Sequence, residues 1–573
     1  MTEASGSRRA MGDRHPWEAF YPDGLDWAAP LPSKTMFAIF DETVAAFGER
    51  RCLDFLGRIY SYREVGDLVD RAAKGFQDLG VGPGTRVGLC LPNSPYFVVC
   101  YYAVLKAGGT VVNYNPLYVE RELASQITDS GTQIMVTLDL TILYAKVAAM
   151  LEATALRRIV VCPMAAILPQ PQRLLFSLFK RGEVASIPDD PRHLRFRELI
   201  ANDGAFHPVA VGPQDVAVLQ YTGGTTGAPK GAMLTHANLV ANTIQIGRWF
   251  PGLQPGEERL LGVLPFFHVF AMTVVMNLGI SVGAELILLP RFELEQVLRT
   301  IHKRRPTLFP GVPTIYTAIN HAPKLNKYDL SSIKFCISGG APLPVEVKQE
   351  FERLTSCHLV EGYGLSESSP VVTCNPIGGV DKAGSIGVPL PGTIVEIRTP
   401  DEHARLLPVG EKGEVCVVGP QVMPGYWNRP DDTARTIVDG RLHTGDIGYL
   451  DADGYVFLVD RIKDVILCGG YNVYPRMIEE AIYLHPAVAE AVVIGIPDDY
   501  RGQAPKAFVH LRDGASCSEA ELQAFLADKL SRIELPKVIE FRSQLPKTMI
   551  GKLSKKELVA EEVAKAAADP NAA

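Results

Sequence analysis

The sequence predicts an α/β protein of at least two domains, and three observations carry that expectation. Its 573 residues are more than one ordinary hydrophobic core serves. Apolar runs of strand length alternate with helical patterns over most of the chain, the mark of parallel α/β sheets. After about residue 390 the alternation stops, and short strands precede a compact α+β unit beyond Asp464.

The chain opens with Met1–Pro16, where Glu3, Arg8, Arg9, Asp13 and Arg14 surround no apolar core. It reads as a disordered leader rather than a signal peptide, and the leader is taken to end at residue 24. Strands are expected at Arg86–Leu91, Thr110–Asn113, Gln133–Leu138, Arg158–Cys162, Leu260–Leu264, Ala284–Leu289 and Phe335–Ser338. Thr393–Arg398 and Gly413–Val418 follow without intervening helices and suggest a small β-barrel-like subdomain. The last unit offers a helix near Pro475–Leu484, strands at Ala489–Ile494 and Ala507–Leu511, and a helix at Glu519–Lys529. The Ala-rich tail Glu561–Ala573 is expected to fray. No internal repeat stands out.

Two apolar stretches need a decision. Leu260–Ala284 has no formal charge and approaches spanning length, but Pro265, His268, Asn277 and several glycines interrupt it, so a buried strand and helix explain it better. Within Pro163–Pro191, Leu174, Leu175, Phe176, Leu178 and Phe179 crowd beside Arg173, Lys180 and Arg181. Residues 172–181 fit a basic amphipathic helix on a membrane surface, or an ordinary helix packed on its own domain.

Composition narrows the class. Apolar residues at 47% and charged residues at 21% are ordinary for a soluble enzyme, and a net charge of −7 gives no reason to expect nucleic acid. The ten cysteines are scattered, with no CxxC pair or Cys/His cluster along the sequence, which argues against zinc and for a reducing, cytoplasmic setting.

The chemistry is concentrated at residues 221–236, YTGGTTGAPKGAMLTH. Gly223, Gly224 and Gly227 let backbone N–H groups converge on a ligand; Thr222, Thr225 and Thr226 add hydroxyl donors, and Lys230 adds a compact positive charge. That set suits a polyphosphate. It is not a Walker A loop, because Pro229 precedes the lysine and Gly231 follows it. The plain alternative is a surface loop between the run Val216–Leu219 and the next helix.

Thr222–Gly231 resembles the phosphate loop of the adenylate-forming superfamily, which includes acyl-CoA synthetases, luciferases and peptide-synthetase adenylation domains. Further motifs match in order along most of the chain. The resemblance implies a large N-terminal domain over 25–462, made of two α/β subdomains and the β-barrel-like subdomain, and a small mobile α+β domain over 463–573. By the same resemblance, Tyr363 in Gly362–Ser369 (GYGLSESS) stacks on adenine, Ser366 keeps a motif hydroxyl usually given by threonine, and Glu367 holds Mg²⁺. Gly340 and Ala341 of the SGGA turn face adenine and the acyl group. Asp446 in LHTGDI accepts from the ribose hydroxyls, helped by Arg461. Phe266, Phe267 and His268 line the mouth of the acyl pocket with Gly340; His268 counts with the catalytic group as a pocket residue, not a base. Lys463 marks the hinge, Gly469 and Gly470 border the CoA tunnel, and Met477 stands where the family often has Glu. Lys552, the last lysine of PKTMIGK, serves adenylation beside Glu367 and Thr222, while Lys547, Lys555 and Lys556 read as solvated charges.

The implied activity is that of a long-chain fatty acid–CoA ligase, with ATP and CoA as co-substrates and Mg²⁺ as cofactor. Its other partners are the fatty acid, peripheral contact at the inner face of the membrane, and a second copy of the chain as a candidate. Rivals are an aryl, medium- or short-chain CoA ligase, and a fatty-acyl-AMP ligase that loads a carrier protein. A silent ATP-binding scaffold is disfavoured because Lys552, Glu367 and the loop threonines are present.

Overall fold

Strands form where the apolar runs alternate with helical patterns in the computed structural model, which describes residues 14–222, 229–401, 403–469, 471–498, 500–547 and 553–568. The chain divides into two compact units, residues 1–394 with 418–442, and 395–417 with 443–573. Lys463 lies inside the second unit.

The first unit holds a seven-stranded sheet, in the order His193–Arg195, Arg158–Cys162, Ile134–Leu138, Arg86–Cys90, Thr110–Asn113, Val216–Thr222, Lys230–Thr235. All neighbours are parallel except the last pair, an antiparallel hairpin. Its interior strands are Val- and Leu-rich and buried, as both faces of a parallel sheet require. Helices show why the sequence folds locally. Tyr62–Asp78 starts at a capping box of Ser61 and Glu64 and buries Val65, Val69, Ala72, Ala73 and Phe76 on one stripe. Pro95–Lys106 is capped by Ser94, begins with proline and is buried all round. Lys106 at its end pairs with Asp41 and Asp70 at 2.7 and 2.6 Å.

A second sheet runs Arg259–Gly262, Glu285–Leu288, Arg51–Phe55, Arg58–Ser61. Leu308 bridges Leu260 on one side and Phe335 on the other. Through it the sheet continues into Phe335–Ser338, His358–Gly364, Val371–Cys374 and Val388–Pro389. The apolar stretch after Pro265 forms a buried helix from Val269 to Ser281 whose middle, Met272–Asn277, widens to a π turn. Among the described residues no helix is long and apolar enough to cross a membrane.

In the second unit, Tyr471–Val473, Ile466–Cys468, Gly502–Leu511 and Val488–Asp498 form a sheet, with Val538–Phe541 parallel to the third strand. Pro475–Tyr483 and Glu519–Ala527 bury Ile478, Ile482, Leu522 and Leu526 in its core.

Three expectations are corrected. Residues 16–20, within the expected leader, form a short helix, with Trp17 and Tyr21 buried and Tyr21 Oη donating to Pro389 O; large aromatic anchors order a segment with few other apolar residues. Of the tail expected to fray, residues 561–568 continue the helix Lys555–Ala568, since alanine favours helix and Leu558 is buried beside Phe508 and Leu545; residues 569–573 lie outside the described residues. Lys555 is not a solvated charge: it is half-buried and pairs with Glu479 at 3.1 Å.

Candidate active site

Thr222 and Lys230 sit opposite each other at the end of the hairpin, so the glycine-and-threonine motif connects strand to strand and not strand to helix. Lys230–Thr235 escaped the sequence reading because its apolar run is only three residues long. Gly223, Gly224, Thr225, Thr226 and Gly227 lie outside the described residues. Lys230 Nζ donates to Asp432 Oδ1 at 2.7 Å, and this bond, with another from Arg435, holds the Asp432 carboxyl below its usual range.

Glu367 lies on the short turn Ser366–Ser368, just after the strand that carries Tyr363. Tyr426 Oη donates to Glu367 Oε1 at 2.6 Å, and Met423 N–H donates to the Glu367 carbonyl at 2.8 Å. Burial, reinforced by the Glu367 charge, pushes the Tyr426 phenol well up, so it remains a donor. A half-buried carboxylate with one oxygen fixed and lone pairs left over is a hard ligand that fits Mg²⁺, an ion that takes one or two protein carboxylates beside phosphate oxygens. The glycines around Tyr363 answer to close packing. A Cβ at Gly364 would lie 1.9 Å from the backbone Pro370 O, and one at Gly362 would lie 3.2 Å from the Ile337 side chain.

The SGGA turn leaves the strand Phe335–Ser338; Gly340 has φ +82, which a side chain would strain, and a Cβ at Gly339 would press the Phe270 ring at 3.1 Å. PFFH is clamped by two buried amides that the sequence did not reveal. Asn93 accepts from Phe266 N–H at 2.8 Å and donates to the carbonyls of Gly262 and Leu264; Gln220 donates to Phe267 O at 3.0 Å. Phe266 packs edge-on against Phe97 with no exposed surface, which makes it a core residue rather than a pocket mouth. Phe267 and His268 are half-buried, and His268 Nδ1 accepts from Phe270 N–H at 3.3 Å, capping the helix that follows.

In the second unit Asp446 and Arg461 meet in register on antiparallel strands, 2.7 Å apart. The LHTGDI turn is fastened from below. Glu414 accepts from Gly445 N–H at 3.0 Å and stands 2.7 Å from His443 Nδ1, while Thr444 Oγ1 donates to Val415 O. Cys416 Sγ lies 3.6 Å from the same ring nitrogen. Strand pairing thus assembles a Glu/Cys/His cluster that spacing along the chain conceals. Asp460 accepts from Arg461 N–H and from Arg476 N–H, tying the strand end to the start of Pro475–Tyr483. Burial, with Arg461 nearby, pulls the Lys463 ammonium down. Gly469 adopts φ +58, a left-handed backbone that favours glycine. Gly470 and Lys552 lie outside the described residues.

A glycine-and-threonine hairpin carrying a fixed lysine, a GYGLSE strand and turn, and an Asp–Arg pair before a small α+β unit define an adenylate-forming enzyme. The chain belongs to the AMP-binding enzyme family: its model matches residues 40–427, and that of the AMP-binding enzyme C-terminal domain matches 477–552. The chain is 45% identical to the long-chain-fatty-acid–CoA ligase of Bacillus subtilis (strain 168), over 96% of this chain and 99% of that protein. It is 36% identical to the ligase of the same name from Escherichia coli O6:H1, over 92% and 94%. A crystal structure of the anthranilate CoA ligase AuaEII with anthranoyl-AMP superposes with a TM-score of 0.83 at 25% identity, covering 95% of this chain and all of that one.

Proposed function

We propose that this chain is a long-chain fatty acid–CoA ligase that forms AMP. The observation that carries the reading is the near-full-length identity to ligases of that name. In the first half-reaction a fatty carboxylate oxygen attacks the α-phosphorus of ATP and pyrophosphate leaves, giving acyl-AMP. In the second the CoA sulfur attacks the acyl carbonyl and AMP leaves. Both partners of the first step are anions, so the site must neutralise charge and align them. Thr222, the loop donors and Lys230 serve the phosphates, Tyr363 and the Gly340–Ala341 turn the adenine, Asp446 and Arg461 the ribose. Glu367 would hold Mg²⁺, which when bound shields the phosphate charge. Lys552 attends adenylation, and the small domain turns about Lys463 before CoA enters past Gly469 and Gly470.

Residues 172–181 supply a peripheral membrane contact in this reading. The helix Gln172–Phe179 has no buried residue, and Leu178 and Phe179 are 64% and 78% exposed. Arg173, Lys180 and Arg181 flank it, the pattern of an interfacial helix at an anionic leaflet.

The aromatic rival is favoured by 36% identity, over 88% of this chain and 94% of that protein, to a feruloyl-CoA synthase of Amycolatopsis sp, and by the likeness to a ligase for anthranilate. CoA-dependent AMP release with acids of graded length separates the two. Activity should rise through decanoate to palmitate; a peak at benzoates or acetate with none at palmitate overturns the long-chain assignment.

A further inference from the structure

The segment Met423–Arg435 contributes no residue to the motifs above, yet it holds two of them. Met233 N–H donates to Gly425 O at 3.0 Å and Trp427 N–H donates to Gly231 O at 2.8 Å, with Ala232 and Tyr426 in antiparallel register. The segment therefore adds a short edge strand to the phosphate hairpin. From that strand the Tyr426 hydroxyl reaches Glu367 at 2.6 Å, and from the helix Pro430–Thr436 that follows the Asp432 carboxylate reaches Lys230 at 2.7 Å. Lys230 Nζ also stands 5.3 Å from the centre of the Tyr426 ring. Thr433 locks strand to helix, since its Oγ1 accepts from Tyr426 N–H at 2.9 Å and donates to Arg429 O at 2.8 Å. Arg429 in turn pairs with Asp129, which also accepts from Tyr221 of the neighbouring strand.

We propose that Tyr426 and Asp432 are positioning residues that set Lys230 and Glu367 for a magnesium-bound triphosphate, an inference that rests on the ATP-dependent reading above. Lysine is a flexible stem with a point charge, and a cation already held in one direction loses less freedom when phosphate arrives. Asp432 also keeps Arg435 as a partner at 2.8 Å, so Lys230 can turn to phosphate without stranding a carboxylate. For Glu367 the phenol fixes the rotamer and occupies one oxygen, as outer partners of metal-binding carboxylates do. The brace acts on the β- and γ-phosphates and their cation; AMP has neither.

The test is equilibrium dialysis of full-length protein with ATP across a Mg²⁺ series, and with AMP alone, for wild type, Tyr426→Phe and Asp432→Asn. Tyr426→Phe should need about tenfold more Mg²⁺ for half-maximal ATP binding, the scale of one lost hydrogen bond to a charged group. Asp432→Asn should weaken ATP binding at saturating Mg²⁺. Both variants should bind AMP as wild type does. Asp432→Glu, which keeps the charge, should recover part of the loss. Variants that bind ATP normally, or that lose ATP and AMP alike, overturn the proposal. Wild type that fails to bind ATP overturns instead the nucleotide reading beneath it.

Discussion

Arg461 Nε stands 2.7 Å from Asp446 Oδ1, and the two residues are direct partners across antiparallel strands. The pairing is asymmetric. The Asp446 side chain is largely buried, and its backbone N–H donates to Thr444 Oγ1 at 3.1 Å, while Arg461 remains half exposed. The Arg461 cation thus orients the carboxylate, while the Thr444 hydroxyl fixes the backbone beneath it, and a carboxylate so held suits acceptance from a diol. Hydrogen bonds to a charged group are worth about 1.5–3 kcal/mol. Asp446→Ala should therefore raise the KM for ATP by roughly ten- to a hundredfold. Arg461→Ala should raise it less, because the acceptor remains. Steady-state kinetics with ATP varied decide this, and an unchanged KM in Asp446→Ala removes the ribose role.

Lys552 is expected to act in one half-reaction only. A cation on a mobile domain can be present when the acid meets ATP and withdrawn when CoA enters. Removing a positioned charge from such a site costs several kcal/mol of transition-state stabilisation, on the order of 2.7–4 kcal/mol. Lys552→Ala should lose nearly all acyl-AMP formation from acid and ATP. It should still convert supplied acyl-AMP and CoA to thioester at close to the normal rate. Equal damage to both steps would reduce the lysine to a support for the fold.

The exposed helix Gln172–Phe179 predicts a separable membrane defect. A large apolar side chain gains about 1.5–3 kcal/mol when fully buried, so two of them matter to a weak interfacial contact. The double variant Leu178→Glu, Phe179→Glu should co-sediment less with vesicles containing anionic lipid. Its turnover of a short, soluble acid should match wild type, since Leu178 and Phe179 are exposed and no residue of the helix is fully buried. Equal sedimentation of variant and wild type would reject the contact.

His236 gives the fold an acid limit. Its Nδ1 accepts from Met36 N–H at 3.1 Å, so the ring is neutral, and burial, partly offset by Asp215, pushes its pKa from the usual 6.5 down to about 4. Between those values the unfolded chain binds a proton that the folded chain refuses. The stabilisation is therefore complete above pH 6.5 and is lost as pH falls toward 4. The shift corresponds to about 3 kcal/mol as an upper figure. His236→Asn keeps an acceptor for Met36 and does not titrate. Its Tm should fall less than that of wild type between about pH 6.5 and 4.5, the window in which only the unfolded imidazole takes up a proton. Parallel curves would show that His236 does not govern the loss.

Short windows of sequence were enough for strands with unbroken apolar runs and for the order of the motifs. Buried parallel strands need unbroken apolar runs such as Arg158–Cys162, and a strained or closely approached backbone needs glycine, as at Gly340 and Gly364. Where the local signal was thin it failed, as at Lys230–Thr235, at Trp17 and at the alanine-rich Lys555–Ala568. The groups that hold the site residues became visible only once the chain was folded. Asp432 meets Lys230 across 202 residues, Tyr426 meets Glu367 across 59, and Gln220 meets Phe267 across 47. A tyrosine or aspartate that braces a distant side chain has no periodicity and no neighbouring signature. Its role exists because sheet pairing lays Tyr426 beside the phosphate hairpin, and hydrogen bonding between groups brought within about 3 Å by that pairing does the rest.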